Sequence, residues 1–347
     1  MKGNVLIYIV LIAVTYSCTK DGSPVYEALD STQNNGEVYV LNEGAFGQSN
    51  ATIDQYDPVA KVVERGVYKT KNGNSPGDVV LSMTASERNF FVVVNNSGTV
   101  QVCDLDMNRM ETISGFRSPR YLQIINSDMA YVSNFLLSSG INEIDVVDIN
   151  EQSIVSKIEV QGWCEQMTML DNFVYVLNPG MDKVLKIDVT THTIVEETTI
   201  GKQPLSMQWD KHNNLWVLCT GGFGDELAQL SKLDPNSMQV LKTLAFNSLD
   251  DFPTWLSVNA NGDSLYYLND GVFALSIEEN KLPDEPFIAN NMTYMYAMSI
   301  DASTNTIYIS DGKDFQQAGE IYHFTINGEL INLFDGGIGP GNFYFHN

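Results

Sequence analysis

Beyond about residue 36, short runs in which apolar and polar residues alternate are separated by clusters of Gly, Asn, Asp and Ser. Period-two alternation of this kind predicts half-buried strands, and long apolar stripes of helical period are absent. One unit recurs along the chain: a Pro or its equivalent, an apolar strand, a polar turn, a strand ending aromatic-Val-x-Asn, a loop, a strand carrying Asp, a turn and a last strand. The second-strand ends are Tyr39-Val40-Leu41-Asn42, Val92-Val93-Val94-Asn95, Tyr131-Val132-Ser133-Asn134, Tyr175-Val176-Leu177-Asn178, Trp216-Val217-Leu218-Cys219, Tyr266-Tyr267-Leu268-Asn269 and Tyr308-Ile309-Ser310-Asp311. Third strands are predicted over 51–57, 99–104, 142–148, 184–188, 227–234, 272–275 and 320–324. The first strands open at Pro76, Pro119, Cys164, Pro204, Pro253, Tyr294 and Pro340, a mean spacing of about 44 residues, which is the size of a four-stranded propeller blade.

The first unit has no innermost strand ahead of Tyr39. The chain ends on Gly339-Pro340-Gly341-Asn342-Phe343-Tyr344-Phe345, which reads as a copy of Ser75-Pro76-Gly77-Asp78-Val79-Val80-Leu81. The predicted fold is therefore all-β: a seven-bladed β-propeller over residues 37–347, its ring closed by the C-terminal strand completing blade one. Closure of this kind removes the sheet edge that would otherwise be open to pairing with another chain.

Ahead of the repeats lies a different signal. Met1-Lys2-Gly3-Asn4 precedes an apolar run from Val5 to Val14 and then Thr15-Tyr16-Ser17-Cys18. One basic residue, a short apolar run and a small residue before Cys read as a lipoprotein signal peptide over 1–17, with Cys18 as the lipidated residue. An ordinary secretory signal in which Cys18 falls by chance is the alternative. The run is too short to cross a bilayer as a helix. Residues 18–36 are polar and read as a flexible tether.

Charge narrows the partners. Lys and Arg total 19 against 43 Asp and Glu, a formal charge of -24. Nucleic acid binding requires clustered cations that this chain lacks. With four His and four Cys, there is little material for His-based catalysis or a zinc cage. Cys103, Cys164 and Cys219 are widely spaced and read as buried free thiols, with no spacing that supports a disulfide. His192 and His212 fall in predicted turns and His323 in a strand, so no catalytic group is assigned.

In a propeller, the loops from second to third strands share one face with the links into the innermost strands, and they converge on the central channel. By repeat register that face carries Glu43-Gly-Ala-Phe-Gly-Gln-Ser-Asn50, Asn134-Phe-Leu-Leu-Ser-Ser-Gly140 and Thr220-Gly-Gly-Phe-Gly-Asp-Glu226, with the links Arg117-Ser-Pro-Arg120, Gln161-Gly-Trp163, Phe252-Pro-Thr-Trp255 and Thr293-Tyr-Met-Tyr296. Amides, glycines and aromatics dominate. The strand-end Asn residues serve equally as turn formers, and the aromatics serve equally as packing between blades. Arg120 follows a blade-opening Pro and offers either a donor to a ligand or a salt bridge to a neighbouring acid. Carboxylates and amides such as Asp311-Gly-Lys-Asp314 would also suit calcium, although no metal ligand is assigned.

The aromatic-Val-x-Asn repeats, with Ile200-Gly201-Lys202-Gln203-Pro204 as an inter-blade link, resemble the YVTN and YncE-like propellers. The opening Tyr39-Val-Leu-Asn-Glu-Gly-Ala-Phe-Gly-Gln-Ser-Asn-Ala-Thr-Ile-Asp54 resembles the first blade of the BtuG-type surface lipoproteins of Bacteroidetes, and Lys20-Asp21 after the lipid Cys is similar to their surface-export signal. That resemblance implies a non-enzymatic protein, lipid-anchored in the outer membrane and exposed on the cell surface. It would capture cobalamin or a related corrinoid as a transported ligand and pass it to a TonB-dependent outer-membrane transporter. The expected ligand-binding residues are Phe46, Asn95, Arg120, Phe135, Trp163, Phe223, Trp255 and Tyr294. Cobalamin is bulky and fringed with amides, which Asn and Gln can match in both donor and acceptor roles. Two other functions fit the same residues: a surface propeller that binds glycan or protein, and a calcium-dependent lactonase-type hydrolase.

Overall fold

The computed structural model describes residues 36–136 and 141–346. Cys18, the signal peptide and the tether up to residue 35 lie outside the described residues. Seven four-stranded antiparallel sheets form the ring. Blade one, from its innermost strand outward, comprises Pro340–His346, Glu37–Asn42, Thr52–Asp57 and Val62–Glu64. The innermost strands of blades two to seven are Val80–Ala85, Pro119–Ile124, Met167–Leu170, Pro204–Trp209, Thr254–Val258 and Met295–Asp301. The predicted closure is present: Glu37 faces His346, Val38 faces Phe345 and Val40 faces Phe343. Because Glu37–Asn42 ends at the face where second-to-third-strand loops gather, the chain enters blade one from the opposite face.

The repeat register of one strand differs from the sequence expectation. Asn134 pairs with Pro119 and Asn42 with Pro340, but the amide of Asn95 bonds the carbonyl of Val79. Val79, not Pro76, thus occupies the place of Pro340. The three residues displaced into the link include Asp78, which acquires a role of its own below. A short helix, Val67–Asn72, was also unforeseen; it buries Val67 and Tyr68 in the core beside blade one.

The core lies between blades, where the apolar faces of neighbouring sheets meet. Tyr39, Leu41 and Ile53 of blade one pack with Phe90, Val92 and Val94 of blade two, and Trp216 and Leu218 of blade five with Leu265 and Tyr267 of blade six. Trp216 is fully buried and donates to Asp210, as its mid-strand position requires. Cys103, Cys164 and Cys219 are buried and free, as expected. No helix among the described residues is long and apolar enough to cross a membrane.

The strand-end Asn and Asp side chains are anchors for the incoming links. Asn42 accepts from the amide of Gly337, Asn134 from Arg117, Asn269 from Phe252, and Asp311 from both Thr293 and Tyr294. In each case the segment leading into an innermost strand is tied to the second strand of the blade it enters, and its backbone donors gain partners. This explains the repeat pattern without a ligand.

Hydrogen bonds also join the inner parts of the blades at every junction around the ring. Asn342 Nδ2 donates to the Leu81 carbonyl at 3.1 Å, and Ser82 Oγ to the Arg120 carbonyl at 2.7 Å. Arg120 meets Glu165, and the Met207 amide donates to Gln166 Oε1 at 2.7 Å. The Leu256 amide donates to Ser206 Oγ at 3.0 Å, Trp255 Nε1 to the Tyr296 carbonyl at 2.8 Å, and Ser310 Oγ to the Pro340 carbonyl at 2.7 Å.

Candidate ligand-binding face

A backbone device at the top of the innermost strands builds the site. In blades one, two, three, five, six and seven the pairing with the second strand slips directly after the first pair: Asn134 faces Pro119, but Val132 faces Leu122; Asp311 faces Met295, but Ser310 faces Ala297. The residues skipped are Gly341, Leu81, Arg120 with Tyr121, Leu205, Trp255 with Leu256, and Tyr296. Bulges re-aim side chains, and these lie around the mouth of the channel. Below the mouth is a cavity of about 360 Å³, lined by Ser82, Arg120, Glu165, Ser206, Ser257 and Asn342 among others, with contributions from every blade.

Arg120 is the cation of this site. Its Nε donates to Glu165 Oε2 at 2.8 Å and to Oε1 at 3.1 Å, and its guanidinium carbon lies 5.8 Å from the centroid of Phe135. Phe135 in turn meets Trp163 edge to face at 5.4 Å. Trp163 can approach because Gly180 has no Cβ; one there would collide with the Trp163 amide and ring. Burial pushes the Glu165 carboxyl above its ordinary value, against the pull of Arg120. Burial works against the charge of Arg120, but the groups around it, Glu165 foremost with Tyr121 and Glu43, together outweigh burial and hold the guanidinium above its usual value. The neighbouring Tyr121 is pushed up to about 12, first by burial and then by the Glu165 charge.

Across the mouth, Glu43 follows the anchor Asn42 and accepts a 2.7 Å hydrogen bond from the Tyr296 hydroxyl. Burial raises its carboxyl, while Tyr296 and the charge of Arg120 act in the opposite direction. Tyr296 stands edge-on to Phe315 at 4.8 Å, and Phe315 meets Tyr294 at 5.5 Å. With Trp255 bonded to the Tyr296 backbone, blades six and seven present an aromatic wall, of which Tyr294 is half exposed.

Phe46 and Phe223 are displayed to solvent, at 76% and 81% exposure. The Phe46 loop is not slack: Asp78 accepts from the Gly47 amide at 2.9 Å and from Asn96, and Asn50 accepts from Ala45. Phe223, with φ of +60°, stacks on Phe252 at 5.4 Å.

The expected site residues thus divide into groups. Arg120, Phe135 and Trp163 come together, as do Trp255 and Tyr294 through Tyr296. Phe223 pairs with Phe252, and Phe46 stands apart on its own loop. Asn95 has a place in the fold, since its Nδ2 donates to the Pro119 carbonyl at 2.9 Å. Glu43, Glu165, Tyr296, Phe252 and Phe315 were missed. Tyr296 had a usable signal, because it holds the same bulge place, second in its innermost strand, as Arg120 and Trp255. Glu165 had none, since its partner is fixed only by blade packing. Among the described residues, no three His, Cys, Asp or Glu side chains converge on a point that would hold a metal ion.

Residues 36–271 match a family described as a domain of unknown function, DUF5074, and the chain belongs to that family. Solved structures share the fold. A quinonprotein alcohol dehydrogenase-like protein from Bacteroides thetaiotaomicron superposes with a TM-score of 0.69 at 15% identity, covering 90% of this chain and 78% of that one. A putative 6-phosphogluconolactonase from Bacteroides fragilis gives 0.68 at 12% identity, covering 91% and 99%. The periplasmic gluconolactonase of Pseudomonas aeruginosa gives 0.67 at 11% identity, covering 89% and 99%. At these identities the likeness is one of fold.

Proposed function

We propose that this protein is a non-enzymatic capture protein for cobalamin or a related corrinoid. The observation that carries the reading is the set of rings on one face: Phe46 of blade one, Phe135 of blade three, Phe223 of blade five and Tyr294 at the entrance to blade seven, all around one polar channel mouth. Of these, Phe46, Phe223 and Tyr294 are exposed and Phe135 is partly buried against Trp163, and aromatics that lose little side-chain entropy on contact suit a broad, flattened ligand. The mouth is polar, with the cation Arg120 set against the carboxylates of Glu43 and Glu165, which suits amide groups and disfavours an anionic ligand. A ligand spanning several blades would draw its affinity from many modest contacts.

In the same reading, Cys18 carries the lipid, the protein sits at the outer membrane facing outward, and a TonB-dependent transporter receives the ligand. Replacing Cys18 with Ala is then expected to release the protein into the soluble fraction. Protection of the wild-type protein from protease on intact cells would contradict the outward orientation.

The test of capture is gel filtration of the chain from residue 19 with cyanocobalamin. Co-elution of the red chromophore with the protein is expected. Free elution of all the chromophore would leave glycan or protein binding as the reading to pursue. Turnover of a lactone that needs added calcium would favour a hydrolase.

A further inference from the structure

Between blades six and seven, beside the channel mouth, lies a second cavity of about 420 Å³. Trp255 stands in the wall it shares with the channel. Four of its lining residues are aromatic: Phe252 and Trp255 at the entrance to blade six, and Tyr294 and Tyr296 at the entrance to blade seven. Tyr294 is 50% exposed and Phe252 39%, so ring surface is open to a ligand. The walls are already tied together. Trp255 Nε1 donates to the Tyr296 carbonyl at 2.8 Å, the Tyr296 hydroxyl donates to Glu43 at 2.7 Å, and the Tyr294 and Tyr296 ring centroids lie 5.9 Å apart. The carboxylate of Asp270 lines the same cavity, and among the described residues no Lys or Arg does. The amides in the wall are spent on the fold. Asn269 donates to Asp251 at 2.8 Å and accepts from the Phe252 N–H at 3.1 Å. Asn290 donates to Asp270 Oδ1 at 2.8 Å and accepts from the Met292 N–H at 2.9 Å. What remains for a ligand is ring surface, the hydroxyls of Thr254 and Thr293, and Asp270 Oδ2, to which no described residue donates.

We propose that this cavity binds a methylated ammonium group, with the rings against its methyls and Asp270 supplying the opposite charge. Aromatic rings attract a cation through their quadrupole, most strongly where water is excluded, and a wall of several rings with one carboxylate is the arrangement that holds a quaternary ammonium. An anion would face Asp270 with no lining cation to offset it. A primary ammonium would bring three N–H donors to a wall with few free acceptors. A sugar would ask for the amides that the fold has already used. A quaternary ammonium has no N–H to satisfy and needs only ring surface and a compensating charge. Because the walls are bonded to one another before any ligand arrives, little ordering is left to oppose binding. The site does not depend on corrinoid capture, since it is a different cavity and takes a charged ligand.

The test titrates choline into the chain from residue 19 at constant ionic strength, followed by saturation-transfer NMR. Its uncharged carbon isostere, in which a tert-butyl group replaces the trimethylammonium, and methyl glucoside are titrated beside it. Wild type, Tyr294→Leu, Tyr294→Phe and Asp270→Asn are compared. Tyr294 is half exposed, and Asn at 270 tolerates the φ of +51° and keeps an acceptor for Asn290, so all should fold; thermal melts confirm it. Choline is expected to bind at least about fivefold more tightly than the isostere, and Tyr294→Leu and Asp270→Asn each to weaken it about threefold to tenfold. Tyr294→Phe keeps the ring and should bind as wild type does. No choline binding, equal binding of the isostere, or methyl glucoside binding more tightly than choline would overturn the site. So would choline affinity undiminished by Tyr294→Leu or by Asp270→Asn, or lost as fully in Tyr294→Phe as in Tyr294→Leu.

Discussion

Arg120 reaches Glu165 across the junction of blades three and four, with Nε 2.8 Å from Oε2, and Glu165 is 6% exposed. Removing one partner of such a pair leaves a desolvated charge alone. Replacing both with apolar groups removes the problem. Arg120→Met is therefore expected to destabilise the protein by about 3–5 kcal/mol, and Arg120→Met with Glu165→Leu to recover most of that loss. Urea denaturation of the three proteins checks it. Equal losses in the single and double variants would show that the pair holds the junction by shape or by its bonds rather than by mutual compensation.

The closure of the ring makes a second expectation. Residues 340–346 supply the innermost strand of blade one, with Phe343 buried between blades. Deleting 339–347 exposes the edge of Glu37–Asn42 and the core beneath it, so the melting temperature should fall sharply and aggregation should rise. A truncated protein that melts with the wild type would contradict the closure.

The ring was legible in the sequence because each blade repeats the same periodicity and ends its second strand on aromatic-Val-x-Asn or a close variant of it. The missing innermost strand told where the C-terminus goes. Register was less legible: Pro76 looks like Pro340, but link length places Val79 in the strand instead, and a single sequence does not show which Pro starts the pairing. The site was legible as a face and not as contacts. Phe46 and Phe223 stand out because Gly-rich loops have no packing use for them. Glu43 and Glu165 look like ordinary acids in a very acidic chain, and only the approach of blades one, three, four and seven around the channel gives them meaning.

Asp311 anchors the link that carries Tyr294. Its carboxylate accepts from the amides of Thr293 and Tyr294 at 2.8 and 2.9 Å, and from Lys313. Asp311→Ala leaves these donors unpaired and should lower stability by about 1–3 kcal/mol. Hydrogen exchange at residues 293–295 should rise with it. Unchanged exchange there would show that the link is held by its aromatic packing alone.

His323 gives the protein a pH signature. It is buried between blades seven and one, stacked on Tyr308 at 4.2 Å and 3.4 Å from the Tyr56 hydroxyl, and burial lowers its pKa to about 4. The unfolded chain takes up this proton near pH 6.5 and the folded protein only near pH 4. The contribution is therefore complete above pH 6.5 and lost as pH falls toward 4. Glu43 and Glu165, whose folded values are raised by burial, act in the opposite sense on acidification. Comparing wild type with His323→Gln isolates the histidine: stability should fall less steeply from pH 6.5 to 4 in the variant. Parallel curves would contradict a neutral buried imidazole.

The most direct test of the account is equilibrium binding of cyanocobalamin to wild type and to the triple variant Phe46→Ala, Phe135→Ala, Phe223→Ala, at low and high salt. Loss of one anchoring ring should cost about 1–3 kcal/mol, so the triple variant should bind at least about a hundredfold more weakly while melting near the wild type. Wild-type affinity should change little with salt, since the ligand is nearly neutral. Undiminished cobalamin affinity in the triple variant, or no binding by the wild type, would contradict the claim that this face captures a corrinoid.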